Sequence, residues 1–174
     1  MLKLVFILMS FVFFAGCSLQ AEAKDASQPA KPPPIKLQAS DINEAKAFQA
    51  AALKMLAASN NSTKLVLNSI GRQSDVASYM MLKKVRDYHR YTDLSELRAP
   101  AALRDDPPTK EFLNTLHTVM AVRSQAFSNG MDAADGGKVS DVTAMLERID
   151  RAKRHAGKAA EQLAALAAHY QTLK

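Results

Sequence analysis

Towards the C-terminus, Val142, Leu146, Ile149, Lys153, Ala156, Ala160, Leu163, Ala167 and Tyr170 follow one another in steps of four and three. Seven residues make almost two helical turns, so this repeat draws one stripe along a long helix packed nearly parallel to its neighbours. Ser140 is expected to cap it, Asp141 suits the positive end of the helix dipole, and Lys174 suits the negative end. Alanine at several stripe positions allows another backbone to come close.

The same periodicity runs through the chain from Ser40 onward, with few glycines, no tryptophan and no runs of alternating apolar and polar residues. A first helix is predicted from Ser40-Asp41, where Asp41 and Glu44 have the spacing of a capping box. Its stripe is Ile42, Ala45, Phe48, Ala52, Met55 and Leu56, and Asn60-Asn61 is expected to break it. A second helix, capped by Ser62 or Thr63, carries Val66, Ile70, Ala77, Met81, Val85 and Tyr88; Gly71 either kinks it or divides it. Thr92 to Arg104 reads as a loop with a short helical turn. A third helix starts behind Pro107-Pro108, where a missing N–H costs nothing. It presents Phe112, Leu113, Leu116, Val119, Met120, Arg123 and Phe127, and Gly130 to Gly137 is expected to end it. Four helices with short links predict an all-α domain over residues 40–174, an up-down-up-down four-helix bundle.

Ahead of that domain the composition changes. Lys3 precedes a nearly unbroken apolar run from Leu4 to Phe14, followed by Ala15-Gly16 and then Cys17. A positive start, a short apolar stretch and small residues form the layout of a secretory signal. The run stops short of the roughly 20 residues a membrane-spanning helix needs. Phe14-Ala15-Gly16-Cys17 resembles the lipobox of bacterial lipoproteins, with Phe14 where that pattern usually has leucine. The resemblance implies a signal peptide over residues 1–16, cleavage before Cys17 and lipidation of that cysteine, including its sulfur. It covers only the beginning of the chain. Cys17 is the one cysteine present, so an internal disulfide is impossible and lipidation accounts for its position. Ser18, where the sorting pattern of double-membraned bacteria has Asp for inner-membrane retention, implies an outer membrane site facing the periplasm.

Residues 17–39 then read as a tether. Pro29 and Pro32-Pro33-Pro34 favour extended backbone, and about 3.1 Å per residue gives a reach of roughly 50 Å.

Three features were weighed as carriers of chemistry. Asp132 to Val139 superficially suggests a calcium loop, but Ala134, Gly136 and Thr143 stand where oxygen ligands belong, so a helix end followed by a turn is the better reading. His89, His117, His155 and His169 lack the close spacing of ligands on one helix, and no metal or other cofactor is expected. The third feature is charge. The chain carries +6, and Lys83, Lys84, Arg86 and Arg90 crowd one region, while Arg148, Arg151, His155 and Lys158 share a face of the last helix. Glu147–Arg151 and Asp150–Arg154 are spaced as i,i+4 pairs, so part of that charge is self-paired surface. The remainder, Lys83, Lys84, Arg86, Arg90, Arg148, Arg151 and Lys158, is the candidate surface for an anionic partner.

Nucleic acid is not expected outside the cytoplasm, and the sequence has no G-x-S-x-G, no H-E-x-x-H and no phosphate-cradling glycine loop. Asp105-Asp106, before the proline pair, reads as a cap rather than an acid–base pair. The expectation is therefore a non-enzymatic module, lipid-anchored through Cys17, that binds an envelope or delivered protein. Two alternatives are a bundle that opens around a small ligand near Phe48, Tyr88 and Phe112, and a structural protein held on peptidoglycan by its basic surface.

Overall fold

A computed structural model describes residues 34–70 and 75–173. These contain four α-helices and two 3-10 turns, and no strand among the described residues. The helices are α1 (Ala39–Ser69), α2 (Asp75–Tyr91), α3 (Pro107–Gly136) and α4 (Val139–Thr172). The 3-10 turns, Leu94–Glu96 and Ala101–Leu103, lie in the segment between α2 and α3, where the sequence predicts one. The signal, Cys17 and most of the tether lie outside the described residues.

The expected break at Asn60-Asn61 does not occur: α1 runs through it for 31 residues. Its buried stripe is Ala45, Phe48, Ala52, Leu56, Ser59, Thr63 and Val66, in steps of three and four. Two Asn residues cost only about 0.6 kcal/mol each in helix propensity, and the apolar positions on both sides outweigh that. Two hydroxyls in this stretch bond within the helix itself. Ser62 Oγ and Thr63 Oγ1 both donate to the Ser59 carbonyl at 2.9 Å. Val66 therefore belongs to α1, Ile70 closes it, and the chain restarts as a separate α2 after residues 71–74. The start also moves. Gln38 is the N-cap and its N–H donates to Asp41 Oδ2 at 2.9 Å, so Asp41 occupies the third helical position of the box. Leu37, three residues ahead of Ser40, is buried, and its N–H donates to the Leu173 carbonyl at 2.8 Å.

Asp106 caps α3, accepting from Thr109 N at 3.1 Å and Thr109 Oγ1 at 2.7 Å, with Pro107 and Pro108 in the first turn. Gly130 does not end this helix. It sits inside α3 because a Cβ there would lie 2.6 Å from Met145 Sδ and 2.9 Å from Leu82 Cδ2. The terminator is Gly137, at φ 69°, where the left-handed conformation suits a residue without Cβ.

In α4 the cap is Lys138 rather than Ser140. The buried face is Met145, Ile149, Ala152, Ala156, Ala159, Leu163, Leu166 and Tyr170. This series shares Ile149, Ala156, Leu163 and Tyr170 with the expected stripe and takes the opposite flank between them. Val142 and Leu146 are left 41% and 49% exposed, and Lys153, Ala160 and Ala167 are exposed as well. Both flanks carry alanine and leucine, so the repeat alone does not choose between them.

Cross-helix pairs show how the elements meet. Phe48 lies edge-on to Phe112 at 6.0 Å, and Ser59 meets Arg123 further along both helices, so α1 and α3 pair in the same order. Along α3 and α4 the order is reversed, Asp106 with His169, Glu111 with Lys158 and Asn129 with Arg148. The core has two apolar parts. One gathers Phe48, Leu56, Leu103, Phe112, Leu116 and Leu166; the other gathers Val66, Leu82, Val85, Phe127, Met131 and Met145.

Gly130→Leu is expected to lower unfolding stability by about 1–3 kcal/mol through overpacking. Gly136→Ala, with nothing within 4 Å of its would-be Cβ, is expected to gain up to about 1 kcal/mol. Urea unfolding of the two variants checks the opposite signs.

Candidate functional site

Between the two apolar parts lies a buried polar layer. Ser59, His89 and Arg123 come from α1, α2 and α3 and are 0%, 2% and 4% exposed. His89 Nδ1 stands 2.7 Å from the Val85 carbonyl, which can only accept, so Nδ1 carries the proton. His89 Nε2 must then accept, from the Ser59 hydroxyl at 2.9 Å. The Ser59 oxygen accepts in turn from Arg123 Nη1, while Arg123 Nη2 donates to Asn60 Oδ1 at 2.6 Å. Arg123 Nε is buried without an acceptor.

No carboxylate faces this guanidinium among the described residues. Burial lowers its pKa to about 10. Burial also drives His89 down to about 4, assisted by the Arg123 charge and opposed by its hydrogen bonds to the Val85 carbonyl and with Ser59. The imidazole lies against Phe127 with ring centroids 5.5 Å apart. The Ser59–His89 bond has the donor–acceptor form of a nucleophile and its base. Ser59 has no solvent exposure, however, and its oxygen is already held by a guanidinium, so this pair locks three helices together.

Beside the layer, a cleft of about 610 Å³ lies between the end of α2, the first 3-10 turn and α3. His89, Arg90, His117, Ser124, Gln125 and Ser128 line it. Asp93 at its rim accepts from Ser95 N at 2.7 Å and caps the turn. A second polar corner ties the start of α3 to the end of α4. Asp106 Oδ1 is 2.9 Å from His169 Nε2, and Thr109 Oγ1 is 2.7 Å from the Tyr170 hydroxyl. Burial opposes ionisation of Asp106, yet hydrogen bonds from Thr109 and His169 hold its pKa below the usual carboxylate value. Burial raises that of Tyr170.

The seven basic residues proposed as an anionic contact surface divide by their partners. Lys83 and Arg86 share Asp87, at 2.9 and 2.6 Å. Arg148 donates to Asn129 Oδ1 at 2.5 Å, and Lys158 pairs with Glu111 at 2.9 Å. Arg90 lies 5.5 Å from the centre of the Tyr91 ring. Lys84 and Arg151 are exposed and have no ion pair among the described residues. The Asp150–Arg154 pair forms; Glu147–Arg151 does not. The basic groups remain on two separate helices.

Of the histidines, His89 is in the core, His117 is exposed on the cleft, His155 is half-buried and His169 bonds Asp106. Among the described residues no three His, Cys, Asp or Glu side chains gather as metal ligands. Asp132 and Asp135 are part of α3. Phe48 and Phe112 meet edge-on in the core, and the three residues named for a ligand pocket do not share one: Phe48 borders a groove of about 500 Å³ with Glu44, Leu97 and Arg104, and Tyr88 borders another, between α1 and α2. The polar layer was not anticipated. Its one sequence signal is Arg123 in the middle of an apolar stripe.

The chain matches no known family model, no curated protein and no solved structure.

With an unfolded value near 6.5, His89 is protonated in the unfolded chain and neutral in the folded one between about pH 6.5 and 4. Stability is therefore full above that window and falls as the pH drops through it, by about 3 kcal/mol at most. Urea unfolding at pH 7 and pH 4.5 measures the loss. His89→Gln, which keeps a donor and an acceptor, is expected to remove most of the difference.

Proposed function

We propose that this chain is a lipid-anchored envelope protein whose helical domain binds another protein and has no catalytic role. In this reading α1 to α4 form an up-down-up-down bundle, Cys17 carries the lipid, and the protein lies on the periplasmic face of the outer membrane.

The observation that carries the reading is an apolar end. Leu65, Ile70, Val76, Met80, Val139 and Val142 are 64%, 36%, 74%, 60%, 80% and 41% exposed. They sit where α1 ends and α2 and α4 begin, around the core part built on Val66, Leu82 and Met145. The chain enters at the other end, where Leu37 bonds Leu173. A helix of about 30 residues is about 45 Å long, so the apolar end lies far from the point where the chain enters the domain. Apolar side chains collected there are what a protein partner buries. The reversed pairing of α3 with α4, and the parallel pairing of α1 with α3, support the bundle topology. No described helix is long and apolar enough to cross a membrane; in this reading the lipid of Cys17 supplies the attachment.

The test is capture of the tagged full-length chain from envelope fractions. Val76→Asp, Met80→Asp and Val139→Asp alter exposed positions, so each is expected to leave the thermal midpoint within about 2 °C while abolishing capture of a specific partner. Capture that survives all three would end the reading. Cys17→Ala is expected to shift the protein out of the membrane fraction and to remove the acyl mass from its N-terminal peptide; an unmodified Cys17 in the parent would refute the anchor.

A further inference from the structure

The flank of α4 that the core does not use borders a second feature. Ala160, Ala164 and Ala167 face Ala50 and Leu53 of α1 across an open groove of about 460 Å³. Their spacings, three and four residues on α4 and three on α1, place each set on one face of its helix. Alanine is too short to fill the space between the backbones, and Leu53 is left 60% exposed. Beside it, towards Leu37 and Tyr170, a smaller lobe of about 100 Å³ shares Lys46, Gln49 and Ala167 with the groove. An α-helix about 10 Å across cannot enter that lobe, whereas a methylene chain can.

Two polar groups interrupt the apolar walls at the junction. Gln49 Nε2 is buried and has no acceptor. Lys46, three residues earlier and so on the same face of α1, is exposed and has no ion pair among the described residues. As placed, the Gln49 donor is turned away from the groove; a flip of the amide, which exchanges nitrogen and oxygen without changing its shape, brings the donor beside the unpaired Lys46 cation, and the two then suit an anion with two acceptor oxygens. The walls call for hydrocarbon. We infer that the groove between α1 and α4 binds one long-chain fatty acid, with its tail along Leu53 and the alanines and its carboxylate held by Lys46 and Gln49.

This inference stands apart from the protein-binding reading, because the groove and the apolar end use different residues. The probe is palmitic acid carrying a diazirine near the tail end, added to membrane vesicles that contain the full-length chain. After irradiation and digestion, adducts are expected on the peptides holding Leu53 and Ala160 to Ala167. Ala164→Trp fills the groove at an exposed position and is expected to reduce this labelling about tenfold with unchanged thermal unfolding. Gln49→Leu combined with Lys46→Glu is expected to reduce labelling by the acid to a similar extent, while labelling by the matching fatty alcohol persists. Adducts spread evenly over the surface would overturn the proposal, as would normal labelling of Ala164→Trp. Labelling that emerges only in Cys17→Ala would overturn it too, by giving the groove to the chain's own lipid. Self-association abolished by Ala164→Trp, without specific adducts, would give it to a second copy.

Discussion

A guanidinium in the middle of a helical core must find acceptors, and α1 supplies both of those that Arg123 has, the Ser59 hydroxyl and the Asn60 amide oxygen. A buried charge left without them would cost several kcal/mol. The requirement reaches well beyond one contact. It holds α1 as a continuous helix through a sequence that looks like a break, and it sets α1 in register with α3. Through Ser59, whose hydroxyl donates to His89 Nε2, it also ties down α2; the Val85 carbonyl sets the tautomer that makes Nε2 an acceptor. Apolar packing above and below sets the register through shape, as at Gly130 and between Phe48 and Phe112. A hydrogen-bonded layer cannot slide, because a shifted register would strand a cation, a hydroxyl and an imidazole together.

The layer also explains why the core falls into two parts. Towards the entry end, the phenylalanines at positions 48 and 112 and the leucines of α3 and α4 surround the Asp106–Thr109–Tyr170 corner, which closes that end with hydrogen bonds. Towards the other end no comparable corner forms among the described residues. Packing there relies on the close approach at Gly130, where Leu82 and Met145 occupy the space a side chain would take. Around this second part Leu65, Val76, Met80 and Val139 are left in solvent. A molecule tied down at one end and apolar at the other has a direction, and that direction gives the proposed anchor and the proposed docking end different jobs.

Small residues on α4 have a related consequence. With alanine on both flanks of its repeat, the helix can turn either flank inward, and whichever faces out remains apolar. Met145 and Leu166 fill the space against the other helices better than Leu146 and Ala167 would, so the flank with 160 and 167 is left beside α1. The groove there follows from how the core was filled.

Much of the architecture was legible in the chain itself. Helical periodicity and scarce glycine determined the all-α class, Pro107-Pro108 with Asp106 marked the start of α3, and the segment after Thr92 read as a connection because its spacing lapses. Hidden were the features that depend on what lies across the core. Asn60-Asn61, with Ser62 or Thr63 as the next cap, reads as a helix boundary because polarity ordinarily marks solvent. Arg123 reads as one cation on an apolar face, and His89 as a histidine without a partner at ligand spacing. Local sequence states which side chains can lie on one face of a helix, since that depends only on 3.6 residues per turn. It cannot state which polar groups will meet, nor which of two equally apolar flanks will be covered, because both depend on the partner helix. Those choices were made by packing volume and by the need to satisfy a buried charge, and only the tertiary structure contains them.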